Sequence, residues 1–452
     1  MRKNIALSVV VLGVIGSAPI HAAEDLSSMF SEGKTSGEIR AFYIDREYQG
    51  GLGKDIHRNS TAVGGNLKLE TADYRGFRIG SILYTTNEIP AFNYSDRDPT
   101  LLGTGNESYS ILGEVYINFD YKETTFKGGR QKLATPMAGA DDTRMLPNLF
   151  NAYLLINRDI PNTTIMVGHI DGFAQGTFGR VYDPAAGGGS SLLAVTSGYS
   201  AVDTRNQTGK FLNMGAYAVG KETAGVSIAS LTYKEGGFKA QLWDYYAYDI
   251  LNAVYAQGDY SWSCLLSDKV KPYVAGQLIN ESDVGKEYAG KINSVYLGAK
   301  IGAKIENFNA YIAYSQTTAN SASDLNGAKI GTANAIVTPW GGMPAFTHVM
   351  VTRHQFLAGT KATKVAASYN FKDIGANVST ALYYASFDMH ANSGYGIART
   401  ATEPGFDIKY HPSLVKNLQL RLRGNFPRSF AESTAGGDTG WDEYRVIANY
   451  TF

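Results

Sequence analysis

Hydrophobic and polar positions alternate along most of this chain with a period of two residues. The pattern is clearest at the end of the chain, where Tyr444, Val446, Ala448, Tyr450 and Phe452 alternate with mostly polar residues. A strand with this pattern has one apolar face and one polar face. Such a terminal strand, flanked by aromatic residues, is typical of transmembrane β-barrels, whose outer face contacts lipid and whose inner face contacts water.

The same alternation predicts further strands of about ten residues, the length that a tilted membrane strand needs. Segment 211–220 also alternates, but including it would give an odd total, and bacterial single-chain barrels have even numbers of strands. We therefore assign it to a long fourth loop and expect an all-β, antiparallel transmembrane barrel of about eighteen strands. The predicted strands are 37–46, 61–71, 77–86, 109–119, 124–132, 151–158, 163–170, 225–233, 238–247, 252–263, 270–278, 291–303, 308–317, 360–369, 376–387, 406–410, 418–425 and 443–452.

The connections between these strands alternate between short and long. The short ones contain the turn formers Gly, Asp, Asn and Pro, whereas the long ones are 132–150, 171–209 and 318–360. This asymmetry predicts short periplasmic turns and long extracellular loops. We interpret the run Asp96-Arg97-Asp98 as part of a solvated surface loop.

The start of the chain is typical of a secretory signal peptide. Arg2 and Lys3 precede an apolar segment, 5–15, and small residues follow up to Ala23. The apolar segment is too short for a membrane-spanning helix, so we predict a leader, 1–23, cleaved after Ala22 or Ala23. The remaining residues, 24–452, are predicted to form a single barrel domain in the bacterial outer membrane, in contact with its lipid and lipopolysaccharide.

Composition narrows the function classes. The 30 Tyr and 20 Phe suit a barrel with aromatic belts at both membrane interfaces. The single Cys264 excludes an internal disulfide, and equal numbers of basic and acidic residues, 41 each, give no support for nucleic-acid binding. The seven His lack the spacing of a metal or catalytic site, so we expect no cofactor, no metal and no enzymatic activity.

Charged residues on the predicted strands indicate which face lines the lumen. A bare charge on the lipid face costs roughly 2–4 kcal/mol at the membrane midplane, so a base that alternates with apolar residues should point inward. In a closed barrel the first strand pairs with the last, so the inward bases from both ends of the sequence share one wall. We call this set the basic ladder: Arg40, Lys68, Lys409, Arg421, Arg423 and Arg445.

A basic wall in a narrow pore would lower the barrier for anions. The alternative is that these bases only pair with acids of the same wall, namely Glu38, Glu70, Asp407 and Glu443. Arg46 lies near a strand end, where its side chain could equally extend toward the lipid headgroups.

Several segments resemble the OprD-type outer-membrane porins: 37–46, 128–133 with 143–150, 340–346 with 358–360, and 417–423. The resemblance implies a monomeric eighteen-stranded barrel with a narrow pore, constricted by inward-folded third and seventh loops. It also implies small carboxylates as solutes and a ladder on one wall. The matching ladder positions are Arg40, Lys409, Arg421 and Arg423, whereas Lys68 and Arg445 rest on periodicity alone.

The same resemblance points to residues of the two constricting loops. In the third loop these are Asp141, Asp142 and Arg144, and in the seventh loop Trp340, Pro344 and Phe346. An ordinary turn is the alternative interpretation of 141–144.

The sequence therefore predicts an outer-membrane porin for passive diffusion of small anionic or zwitterionic solutes. It is expected to be a monomer, with a trimer as the alternative. A general diffusion porin without solute preference is the main rival. An outer-membrane hydrolase would need an activated nucleophile that we do not find, and an adhesin would have a filled lumen.

Overall fold

The computed structural model describes residues 22–49, 56–89, 96–181, 192–204, 207–265, 267–321, 323–324, 333–393, 398–432 and 438–452. Nearly all of the predicted signal peptide lies outside these residues, so the leader and its cleavage point stay predictions. The described helices are short, at Leu26–Ser31, Leu192–Thr196 and Met214–Val219. None of them is long and apolar enough to cross a membrane.

Eighteen antiparallel strands form the wall of the molecule. They are β1 Lys34–Gln49, β2 Ile56–Glu70, β3 Phe77–Glu88, β4 Tyr109–Tyr121, β5 Thr124–Gln131, β6 Leu149–Asn157, β7 Thr163–Ala174, β8 Val226–Glu235, β9 Phe238–Ala247, β10 Leu251–Ser261, β11 Val270–Asp283, β12 Asn293–Ile305, β13 Phe308–Thr317, β14 Lys361–Asn370, β15 Val378–Met389, β16 Arg399–Tyr410, β17 Leu418–Asn425 and β18 Asp438–Thr451.

The wall is closed because the first strand pairs with the last. Each strand pairs with its neighbours in sequence, and β1 pairs with β18 from Glu38 opposite Thr451 to Gln49 opposite Gly440. Closure gives each strand of the described wall a hydrogen-bonded neighbour on both sides, as a barrel in lipid requires. The predicted fold, an antiparallel barrel of eighteen strands, is confirmed.

The fourth loop connects β7, which ends at Ala174, to β8, which begins at Val226, as the sequence predicted. Segment 211–220 contributes no barrel strand, as predicted, but forms the short strand Leu212–Asn213 followed by a helix. The Asn213 side chain accepts hydrogen bonds at the start of that helix, and Gly220 ends it in the left-handed region. These caps stop the alternating segment from continuing as a strand.

Alternate residues face opposite sides of the wall. On β17 and β18, Leu420, Leu422 and Val446 are exposed on the outside, while Arg445 is 1% exposed. The exposed residues form an apolar outer surface that suits contact with lipid hydrocarbon. This arrangement agrees with the inward and outward positions that periodicity assigned to these strands.

The orientation of β17 can be tested with two neighbouring substitutions. We expect Leu420→Arg to impair barrel assembly, because it places a charge in lipid at a cost of about 2–4 kcal/mol, whereas Gln419→Arg adds a charge to the wet lumen. Folding into liposomes, followed by the heat-dependent mobility of the folded barrel, measures the difference. Assembly of Leu420→Arg together with failure of Gln419→Arg would reverse the assignment.

The apolar core lies inside the barrel, between the wall and the inward-folded loops. The third loop, 132–148, and the described parts of the fourth loop and of the seventh loop, 318–360, meet there. The buried cluster combines wall residues with loop residues and includes Phe150, Phe173, Met214, Tyr217, Trp243, Trp340 and Phe356. The loops are therefore packed elements of the lumen.

Candidate pore-lining site

The structure brings the six ladder positions onto five adjacent strands, in the order β16, β17, β18, β1 and β2. Lys409 is opposite Arg421, and Arg423 is opposite Arg445. Along the strands these bases are staggered, because Arg445 is opposite Ile44 and Lys68 is opposite Ser36, each four residues from the level of Arg40. Their role in solute passage stays a prediction.

Most ladder bases are paired with acids. Arg40 contacts Glu38 at 2.8 Å and Asp142 at 2.6 Å. The Arg421 Nε donates to Asp407 Oδ1 at 2.7 Å, and Arg423 lies 3.7 Å from the same carboxylate. Lys68 pairs with Glu70, and Arg445 pairs with Glu443.

Among the six ladder bases, Lys409 alone has no ion pair within the described part of the chain.

Glu443 is the centre of a buried ionic cluster. Its carboxylate contacts Arg46 at 2.8 Å, Arg144 at 3.1 Å and Arg445, and it is itself 0% exposed. Arg46 also contacts Asp98 at 2.8 Å. Charges buried in this way need several partners to offset their lost hydration.

Two sequence-based interpretations are wrong at this cluster. Arg46 does not extend toward the headgroups, and Asp98 is not part of a solvated loop, because both are buried. Residues 96–108 of the second loop turn back into the lumen, where the carboxylate of Asp98 contacts the guanidinium of Arg46. No pattern in the sequence indicated this pairing, since the two residues belong to different elements.

Arg144 and Asp142 dock the third loop on the ladder wall. The Arg144 Nε donates to Thr100 Oγ1 at 3.1 Å, in addition to the contact with Glu443. Asp142 contacts Arg40, whose guanidinium also donates to the Arg144 carbonyl. The third loop therefore crosses the lumen to the wall that carries the ladder.

Asp141 joins the third loop to the seventh loop. The backbone N–H of Gly342 donates to Asp141 Oδ1 at 3.2 Å and to Oδ2 at 3.3 Å. Burial raises the pKa of Asp141. The adjoining N–H of Gly139 donates to the Trp340 carbonyl at 3.1 Å, which adds a second link between the two loops.

The three predicted seventh-loop residues occupy different surroundings. Trp340 is buried, and its Nε1 donates to the Met214 carbonyl of the fourth loop at 3.1 Å. Pro344 and Phe346 lie against β11, where the Gln277 amide donates to the Pro344 carbonyl and accepts from the Phe346 N–H at 2.9 Å. Trp340 thus holds loops together, while the other two residues attach the loop to the wall.

Sequence reasoning missed a row of lumen-facing residues under the seventh loop. The row crosses β11 to β16 in register and consists of Ala275, Lys300, Ala313, Lys364, Ala385 and Glu403. Residues of the seventh loop contact this row at three positions. The Phe346 ring lies against the Lys300 ammonium group. Lys364 donates a hydrogen bond to the His348 carbonyl, and the Thr352 N–H donates one to the Glu403 carboxylate. The alternation of residues between the two faces could have identified both lysines as lumen-facing, because each is followed by an apolar residue on the outer face, Ile301 or Val365.

The buried histidines of the seventh loop add no charge. Burial lowers the pKa of His354 to about 3, and burial next to Arg353 and Lys364 lowers that of His348. Both rings are therefore neutral at ordinary pH, and the cations of this region are Lys and Arg.

A groove of about 830 Å³ lies on the outer face of β8 to β13. Its floor is formed by small residues such as Ala256 and Gly276, and its sides by leucines such as Leu242 and Leu297. These residues face lipid, so we do not assign the groove to solute passage.

Comparisons with known proteins give matches among solved structures only. No family model matches the sequence, and no curated protein sequence matches it. Three similar structures are Pseudomonas aeruginosa OpdK, solved with vanillate (16% identity, TM-score 0.72), OccK9, also called OpdG (17%, 0.73), and OccK5, also called OpdH (16%, 0.70). Each match covers 94% of this chain and 99% of the other. The chain therefore has the fold of the OprD-type outer-membrane porins, which these Pseudomonas structures represent.

Proposed function

We propose that this protein is an outer-membrane porin for passive diffusion of small anionic or carboxylate-bearing solutes. The observation that carries the proposal is the ladder wall, where the bases outnumber the acids beside them and where Arg40 contacts the docked third loop. A basic wall in a constricted, partly desolvated passage favours anions. The crystal structure of OpdK holds vanillate, a carboxylate, which supports this solute class.

Ion pairing on the wall leaves some bases able to bind a solute. Arg421 uses Nε and Nη2 on Asp407, so its Nη1 remains directed away from that pair. Lys409, opposite Arg421, has no ion pair within the part of the chain described. A carboxylate can therefore exchange between Arg423, Arg421 and Lys409 as it moves from the loops toward the periplasmic turn.

The surroundings of the barrel follow from its surface. The apolar outer residues contact lipid, and the headgroup and lipopolysaccharide regions border the strand ends. We propose a monomer that acts without cofactor, metal or catalysis. A general diffusion porin is the second candidate, because acids partly neutralise the ladder.

Reversal potential in a salt gradient tests the ladder. We expect the variant Arg421→Ala with Arg423→Ala to lose about half or more of the native anion preference, because two lumenal positive charges disappear where the effective dielectric constant is low. The matched control, Arg75→Ala with Arg158→Ala, removes two exposed charges from periplasmic turns.

Each result has a defined meaning. Unchanged ion preference in the ladder variant would contradict the role of the ladder and favour a general diffusion pore. Absence of ion steps for the native protein in a planar bilayer would contradict the porin itself and favour an adhesin or hydrolase with a filled lumen.

A further inference from the structure

We propose that Lys300 and Lys364 form a second carboxylate-binding site, separate from the basic ladder and next to the seventh loop. The inference rests on the proposed porin function and assigns it a specific binding position. It concerns β12 to β14, where neither the predicted ladder nor the predicted loop residues place a cation.

Strand register sets the spacing of the two lysines. Lys300 and Lys364 lie on either side of Ala313 in the same lumen-facing row. Both ammonium groups are 5.8 Å from the centre of the Tyr311 ring, so at most twice that distance separates them. The small side chain of Ala313 leaves room between them.

Neither of these lysines has an acidic partner within ion-pair distance in the described part of the chain, in contrast to the arginines of the ladder. Lys300 lies over Phe346 at 4.3 Å, and Lys364 lies over Tyr383 at 5.3 Å and donates to the His348 carbonyl at 2.5 Å. Aromatic faces and a carbonyl orient an ammonium group without removing its charge.

The nearest acid of the row is occupied by other donors. Glu403 accepts from the Tyr383 hydroxyl and from the Thr352 N–H, both at 2.5 Å. Its two oxygens thus hold β15 and the seventh loop, and it leaves Lys364 available to a solute.

These surroundings fit a small carboxylate with an apolar body. The two ammonium groups can bind its oxygens, while Ala313 and the rings of Tyr311 and Phe346 provide apolar contact. Few polar groups in a mostly apolar setting are typical of small-molecule sites. A neutral molecule of the same shape would lack the main attraction.

Block of single-channel current by benzoate tests the site, with uncharged benzamide as the matched ligand. For Lys300→Gln with Lys364→Gln, we expect the half-blocking concentration of benzoate to rise by about tenfold, which is a loss of about 1.4 kcal/mol in binding. Block by benzamide should not change. The control Lys361→Gln with Lys372→Gln removes two charges from the outer face of β14 and from a periplasmic turn.

A second variant separates binding from support of the loop. Lys300→Arg with Lys364→Arg keeps both charges, so benzoate block should stay within about twofold of native. Equal benzoate block in the native and glutamine proteins would overturn the site, and so would loss of block in the arginine variant. Failure of the porin function is a different result, since it would remove ion steps or anion preference from the native protein as well.

Discussion

Replacement of Glu443 with glutamine is expected to destabilise the barrel by about 3–5 kcal/mol, since it removes the shared partner of a buried ionic cluster. Arg46, Arg144 and Arg445 all contact this carboxylate, and each is less than 5% exposed. Glutamine keeps the shape but not the charge, so three guanidinium groups would face one another. Unfolding in urea, followed by tryptophan fluorescence in lipid vesicles, measures the free energy of unfolding.

The matched control for this experiment is Glu306→Gln. Glu306 pairs with Lys269 at 2.9 Å, but both side chains are more than half exposed, so no measurable change in the free energy of unfolding is expected. Glu443→Gln should also make the third loop more susceptible to proteolysis, because Arg144 loses its ion pair and keeps only its hydrogen bonds, such as the one to Thr100. Similar free energies of unfolding for the two variants would show that the buried cluster stabilises the barrel no more than an exposed ion pair does.

The barrel itself was largely predictable from the sequence. Each strand must separate a lipid-facing set from a lumen-facing set, so alternation identifies both the strands and their orientation. For that reason Leu420 and Arg421 could be assigned to opposite faces of β17 before any contact was known. The fourth loop was harder, because a capped helix at Met214–Val219 interrupts a segment that alternates like a strand.

The contacts inside the lumen were not predictable in the same way. Asp98 and Glu443 both bind Arg46, although the first comes from the second loop and the other from the last strand. Periodicity says which residues face inward, but it does not say which loop folds back to meet them. The alternation could have identified the lysines of β12 and β14 as lumen-facing, but they lie outside the segments that resemble the OprD-type porins.

The contact between the third and seventh loops depends on glycine. Gly342 has a φ of +90°, and a Cβ there would lie 2.1 Å from the Pro136 carbonyl oxygen. Gly139 faces it so closely that its own Cβ would lie 2.7 Å from the Gly342 Cα. Backbone of one loop therefore packs directly on backbone of the other, and no side chain fits between them.

We expect Gly342→Val to separate the two loops and to increase single-channel conductance. Strain at a positive φ costs about 1–3 kcal/mol, and the overlap with Pro136 adds to it. The hydrogen bonds from Gly342 to Asp141 should break as the loops part. Conductance steps in a planar bilayer measure the change in pore size, and proteolysis of the third loop reports its release.

A matched glycine shows whether the effect comes from this contact. A Cβ at Gly276, on the outer face of β11, would meet nothing within 4 Å, so Gly276→Val should leave conductance and proteolysis at native levels. If Gly342→Val leaves both at native levels as well, the third and seventh loops do not narrow the pore at this point. Anion preference would then depend on the charges of the wall, since the loops would not force a solute against the ladder or against Lys300 and Lys364.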